Sequence, residues 1–248
     1  MRTIKLIIAY EGTDYAGWQV QPERPTVQSV LEEAIARVTG EASRTLASGR
    51  TDAGVHALGQ VVGFRTDSKL ACTDLVRALN ANLPQDIAVL DAVEVPDGFH
   101  PIRNAIRKRY RYIIDDAEIP DLFDRRYAWH CRYRLDVEPM ALAAQTLLGM
   151  HDFSSFESTG APRESSVRTI TDISVVRHGP RIEIEVEADG FLYNMVRAIV
   201  GTLVEIGRGS MDPGWMQQVL AAKQRKAAGP TAPPEGLFLV NVDYESDA

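Results

Sequence analysis

The chain has 248 residues, 45% of them hydrophobic and 25% charged, which are the proportions of a folded globular protein and exclude a disordered or fibrous one. A net charge of −7 argues against a uniformly basic nucleic-acid-binding domain, yet Arg103–Arg111 (RNAIRKRYR) packs five cations into nine residues while the C-terminal VDYESDA is acidic, so a basic face is compatible with the acidic total. Cys72 and Cys131 stand far apart with no Cys-x-x-Cys pair, which points to neither a disulfide framework nor a cysteine zinc site.

The N-terminal MRTIKLIIAYEG has an apolar run too brief for a signal sequence and no small-residue cleavage site after it, so Ile4–Tyr10 is expected to be a first strand and the protein cytoplasmic. After Thr26, the residues Val27, Val30, Leu31, Ala34, Ile35 and Val38 recur at helical spacing and stop before Gly40. SRTLAS and GQVVGFRT read as strands on either side of GRTDAGVHA, TDLVRALNANL as a helix from Thr73, and IAVLDAVEV as a strand. A second half starts with the strand RYRYIID (Arg109–Asp115) and a helix near Val137–Leu148. A hairpin of Ile170–Val176 with Ile182–Ala188 turns at His178-Gly179-Pro180. A helix from Phe191 to about Ile206 follows, with Leu192, Met195, Ile199, Leu203 and Ile206 on one stripe. It is broken by Arg197 and too short to span a membrane. GWMQQVLAAK reads as a shorter helix, AAGPTAPPEG as a surface loop, and LFLVNVDY as a closing strand. The plan is two similar α/β halves, residues 1–103 and 104–248.

Among these segments SGRTDAGVHA (Ser48–Ala57) has the most unusual chemistry, with two glycines, a cation, an anion and an imidazole between two strands. Glycines let a backbone turn tightly and approach a ligand, and Arg50 beside Asp52 can hold that carboxylate ionised as a nucleophile or general base. The same residues also suit a structural role, with Asp52 capping a turn and Arg50 a surface cation. His56 is expected in a hydrogen-bonded structural role. The five histidines show no metal-ligand spacing, and there is no Walker loop or strand-to-helix G-x-G-x-x-G, so neither a metal nor a nucleotide cofactor is expected.

GRTDAGVHA closely resembles the signature of the TruA-type tRNA pseudouridine synthase family. YEGTDYAGWQVQP with TVQSVLEEA, NANLPQDIAV, KRYRYII, GMHDFSSF, DGFLYNMVRAIVGTLVEIGRG and PPEGLFLVNVDY resemble its other blocks in order, with Glu11 where Asp is frequent. The resemblance implies an α+β pseudouridine-synthase fold, with mainly antiparallel sheets flanked by helices around a central RNA-binding cleft. It implies an isomerase without cofactor that converts uridine to pseudouridine at positions 38, 39 and 40 of the tRNA anticodon stem-loop and works as a homodimer. On the matching residues, Asp52 is the nucleophile, Tyr110 lies against the uracil, Arg197 pairs with Asp52, and Arg50 contacts RNA near the extruded base. Tyr112, next along the same strand face, is expected in the core, and Arg197 has the alternative of a solvated helix cation. One departure is FHPIRNAIRKRY, with Ile102 in place of a family arginine and Arg103 after it, so a backbone contact is expected to shift by one residue. Rival readings are a catalytically silent tRNA-binding protein, a hydrolase using Asp52 as general base, and the same chemistry at other uridines.

Overall fold

Alternation in the first strand, β1 (Arg2–Tyr10), puts Ile4, Leu6, Ile8 and Tyr10 on a buried face and leaves Lys5, Ile7 and Ala9 half-buried on the other. Each fully buried aliphatic side chain contributes roughly 1.5–3 kcal/mol. The structure is a computed structural model describing residues 1–158 and 165–245, so the last three residues of the acidic VDYESDA end lie outside it. The chain divides into two compact units, Met1–Ile106 with the chain from Phe238 onward, and Arg107–Leu237.

In the first unit, β1 pairs antiparallel with β3 (His56–Thr66) and with β4 (Ile87–Val95), and the short β2 (Leu46–Ala47) pairs with β3. Helix α1 (Val27–Thr39) starts where Thr26 and Ser29 form a reciprocal capping box and stops at Gly40, whose φ of 75° is one that glycine adopts without strain. Helix α2 (Cys72–Asn82) packs on β4 and on α1, burying Leu75 and Leu79. The closing strand, β10 (Leu237–Tyr244), returns to this unit and pairs parallel with β3 through Phe238–His56 and Leu239–Ala57.

In the second unit, β5 (Ala105–Asp115), β9 (Arg181–Ala188), β8 (Val167–His178) and β7 (Gly149–Asp152) form consecutive antiparallel pairs, with β6 (Trp129–His130) parallel to β5. Helix α3 (Val137–Gln145) covers β8 and touches α4 (Met195–Gly207), and α5 (Trp215–Ala222) packs beside them. Mainly antiparallel strands flanked by helices make this the α+β class expected from the sequence.

Three local expectations change. Helix α4 begins at Met195 and not at Phe191, because Asn194 takes a left-handed φ of 61° that a continuing helix cannot contain. Eleven of its thirteen residues are buried, so α4 is a core helix and not one with a single apolar stripe; Arg197 and Glu205 are the exceptions. The Pro/Gly-rich connector is not a mere surface loop. Gly229, Ala232 and Gly236 are buried, and its backbone lies so close to α4 that a Cβ on Gly201 would stand 1.7 Å from the Pro230 carbonyl oxygen.

Candidate active site

The segment carrying Arg50 and Asp52 runs from β2 to β3 and is clamped by the residues after β1. A Cβ on Gly12 would lie 1.9 Å from the Val55 carbonyl oxygen, and one on Gly17, at φ 93°, would lie 2.7 Å from that of Thr51. Only glycine allows two backbones to meet this closely. The Trp18 N–H donates to the Thr51 carbonyl at 3.0 Å, and the Gly17 and Trp18 carbonyls accept from the Val27 and Gln28 N–H groups opening α1. The block YEGTDYAGWQ thus braces the Asp52 loop from one side and receives the start of a helix on the other.

Beneath the loop lies a buried polar chain. The Tyr10 hydroxyl bonds Thr51 Oγ1 at 2.8 Å, Gln60 Nε2 donates to Tyr10 Oη at 3.4 Å and to the Gly49 carbonyl at 2.8 Å, and Ser48 Oγ donates to Gln60 Oε1 at 2.7 Å. Burial pushes the Tyr10 phenol up to about 12, so it remains neutral at physiological pH. His56 accepts the Gly12 N–H on Nδ1 at 3.1 Å and stacks on Phe238 with ring centroids 4.7 Å apart, the structural role expected of it. Within this frame Asp52 is half-buried at a turn closed by Val55 N–H to Asp52 carbonyl (3.1 Å) and by Gly54 at φ 78°, and Arg50 is exposed. Tyr10, Trp18 and Gln60 are supporting residues that the motif pattern alone does not mark. The available signal was Gln60, an amide within the apolar strand GQVVGFRT.

Tyr110 and Arg197 belong to the second unit. Tyr110, on β5, sits opposite Val186 of β9, is 8% exposed, and meets Phe191 edge-on at 4.9 Å, a preferred aromatic geometry. Tyr112 is fully buried, its hydroxyl donating to the Pro233 carbonyl at 2.7 Å, as core packing requires. Arg197 is half-buried and fixed: its Nε donates to the Ala232 carbonyl at 2.7 Å and its Nη1 to Asn194 Oδ1 at 3.0 Å. Anchoring of this kind differs from a solvated helix cation, whose long side chain would stay mobile.

The cationic run is less basic than its sequence suggests. Arg107, Arg109 and Arg111 share one face of β5 and meet the carboxylates of β9 and β8. Arg109 contacts Asp172 (2.9 Å), Glu185 (3.1 Å) and Glu187 (2.8 Å), Arg111 contacts Glu185 (2.7 Å), and Arg107 contacts Glu187 (3.5 Å). Burial alone would raise the Glu185 and Glu187 carboxyls, but the arginine hydrogen bonds and charges, with the Thr171 hydroxyl on Glu187, hold both below the ordinary glutamate value. Ile102 and Arg103 lie exposed on a turn where His100 Nδ1 accepts both their N–H groups. Among the described residues no cluster of His, Cys, Asp or Glu could hold a metal ion, and no helix is long and apolar enough to cross a membrane.

The profile of the family described as tRNA pseudouridine synthase matches residues 6–102 and 143–245. A protein of Moorella thermoacetica named tRNA pseudouridine synthase A is 51% identical over 98% of this chain and 100% of its own length. Proteins of the same name from Exiguobacterium sp. and Thermoanaerobacter sp. are 49% and 46% identical, the first over 99% of both chains, the second over 98% of this chain and 100% of its own length. With both the Asp52 loop and the Arg197 helix inside the matched segments, the chain belongs to the tRNA pseudouridine synthase family.

Proposed function

We propose that this protein isomerises uridine to pseudouridine in tRNA, acting at positions 38, 39 and 40 of the anticodon stem-loop. The observation that carries it is the half-buried Asp52 on a doubly braced loop in a chain of this family. The target uridine leaves its stack at a cost of a few kcal/mol and its base rests against Tyr110, a ring already oriented by Phe191. Asp52 attacks C1′ or assists departure of uracil as the N1–C1′ bond breaks. The detached ring turns, C5 bonds to C1′, the C5 proton is lost and N1 ends protonated, so atoms and electrons balance with no redox partner or group donor. Arg197 pairs with Asp52 and keeps it ionised, because a nearby opposite charge lowers a carboxylate pKa. Arg50 contacts the RNA beside the extruded nucleotide.

The same proposal assigns the protein to the cytoplasm and to a homodimer across which tRNA lies. Light scattering of the purified protein should give twice the chain mass. The decisive experiment is Asp52→Asn assayed by tritium release from tRNA carrying 5-tritiated uridine. Release is expected to vanish while tRNA affinity stays within a few-fold of wild type. Pseudouridine formation by the variant would remove Asp52 from the chemistry, and release of free uracil by the wild type would make the protein a hydrolase. Tyr110→Phe should keep tRNA binding and lose far less activity than Asp52→Asn.

A further inference from the structure

On the face of β5 turned away from the carboxylate ladder, Lys108, Tyr110 and Tyr112 succeed one another at the strand period. Lys108 pairs with Ala188 on β9, and Ala188 pairs with Ile170 on β8. Arg168, two residues before Ile170, therefore shares the Lys108 face. Its position is fixed. Nη1 donates to the Ser165 and Val167 carbonyls (3.1 and 2.6 Å), and the side chain crosses Gly190, where a Cβ would stand 3.3 Å from Nε and 3.5 Å from Cδ. Phe191, the partner of Tyr110, follows Gly190 directly. The neighbouring Asp189 carboxylate accepts the Thr169 N–H at 3.0 Å.

We propose that Lys108 and Arg168 form a phosphate-binding pair that takes a phosphodiester of the substrate RNA beside the nucleotide whose base lies against Tyr110. This rests on the function proposed above and adds a backbone contact to it. Burial, and then the charge of Arg168, lower the Lys108 amine to about 8, so an anion between the two would restore Lys108 as a full cation. The guanidinium and the ammonium supply the planar fork and the point charge with which proteins hold phosphate. The absence of a side chain at Gly190 leaves room for Arg168 to lie against the backbone there, which holds its guanidinium on this face. Lys108 and Tyr110 lie about 6.6 Å apart along the strand, the scale separating a base from its own phosphate. Arg107, Arg109 and Arg111, on the other face, are committed to carboxylates.

The test combines Lys108→Gln and Arg168→Gln with an anticodon stem-loop RNA whose linkages flanking the target uridine are neutral methylphosphonates. With ordinary RNA each variant is expected to raise KM about tenfold, leave kcat within about twofold, and reduce the salt slope of binding by about one. Lys108→Arg should restore most of the affinity. With the neutral RNA the wild type should bind about tenfold more weakly and the variants should lose little more. Undiminished wild-type affinity for the neutral RNA, or an unchanged salt slope in both variants, would overturn the pair. Should Lys108→Gln fail to fold by circular dichroism, Arg168→Gln and the wild type with neutral RNA decide the question. Failure of the functional proposal looks different, since the wild type would then form no pseudouridine in any RNA.

Discussion

Tyr10 links the first strand to the Asp52 loop through one hydroxyl, shared between Thr51 and Gln60. Tyr10→Phe keeps the ring and deletes that link, leaving buried polar atoms short of a partner. A stability loss of about 1 kcal/mol is expected in urea denaturation. Because the loop would then sample other positions, kcat should fall several-fold with KM nearly constant; an unchanged kcat would show that the link does not position the loop. Asp116 is a second buried anchor, bonded by Arg134 (2.7 Å), Arg177 (2.8 Å) and the Leu135 N–H (3.0 Å). Burial alone would raise its carboxyl, but the Arg177 hydrogen bonds, the Leu135 N–H and the two arginine charges hold it below the ordinary aspartate value. A depressed carboxylate pKa contributes stability at neutral pH that disappears as pH falls through the folded value. Asp116→Asn should therefore cost about 2 kcal/mol at pH 7, with the gap to wild type narrowing below about pH 4, as read by denaturation at both pH values.

At the scale of elements, α4 and the connector before β10 form one packed unit. Gly201 and Gly229 allow two backbones to touch, and Arg197, one turn before Gly201, donates to Ala232 of the same connector. Gly201→Ala would force them apart. It should cost about 1–3 kcal/mol, and activity should fall beyond the loss of folded protein because the Arg197 anchor moves with the connector. Specific activity normalised to the folded fraction measures this, and an unaltered value would separate the packing from the chemistry. The ladder of Arg107, Arg109 and Arg111 with Glu183, Glu185 and Glu187 shows why a basic run in sequence need not be a basic face. Alternation brings every second residue of two paired strands together, and opposite charges on those positions cancel.

For the molecule as a whole, β10 matters because the last strand in sequence completes the first unit. Leu239 is fully buried, Phe238 stacks on His56, and a Cβ on Gly59 would stand 2.6 Å from the Val240 carbonyl oxygen. Leu239→Ala should destabilise the first unit by about 3 kcal/mol. Hydrogen exchange should report the loss in β3, which pairs with β10 and leads from the Asp52 loop. Unchanged protection in β3 would show that the first unit holds without this strand.

Periodicity and capping chemistry were legible in the sequence because they are local. Thr26 and Gly40 bound α1, a short apolar run marked β1, alternation marked the hairpin of β8 and β9, and the ordered motifs around Asp52 pointed to the family that the comparisons show. What the sequence could not specify depends on residues far apart in the chain. The brace under the Asp52 loop joins residues 10, 18 and 60 to residues 48–51, the arginines of β5 are neutralised by carboxylates some 60 to 80 positions later, and a proline-rich connector packs on α4 because two glycines let the backbones touch. Each of these is a contact between distant segments, and only the tertiary structure selects which distant segments meet.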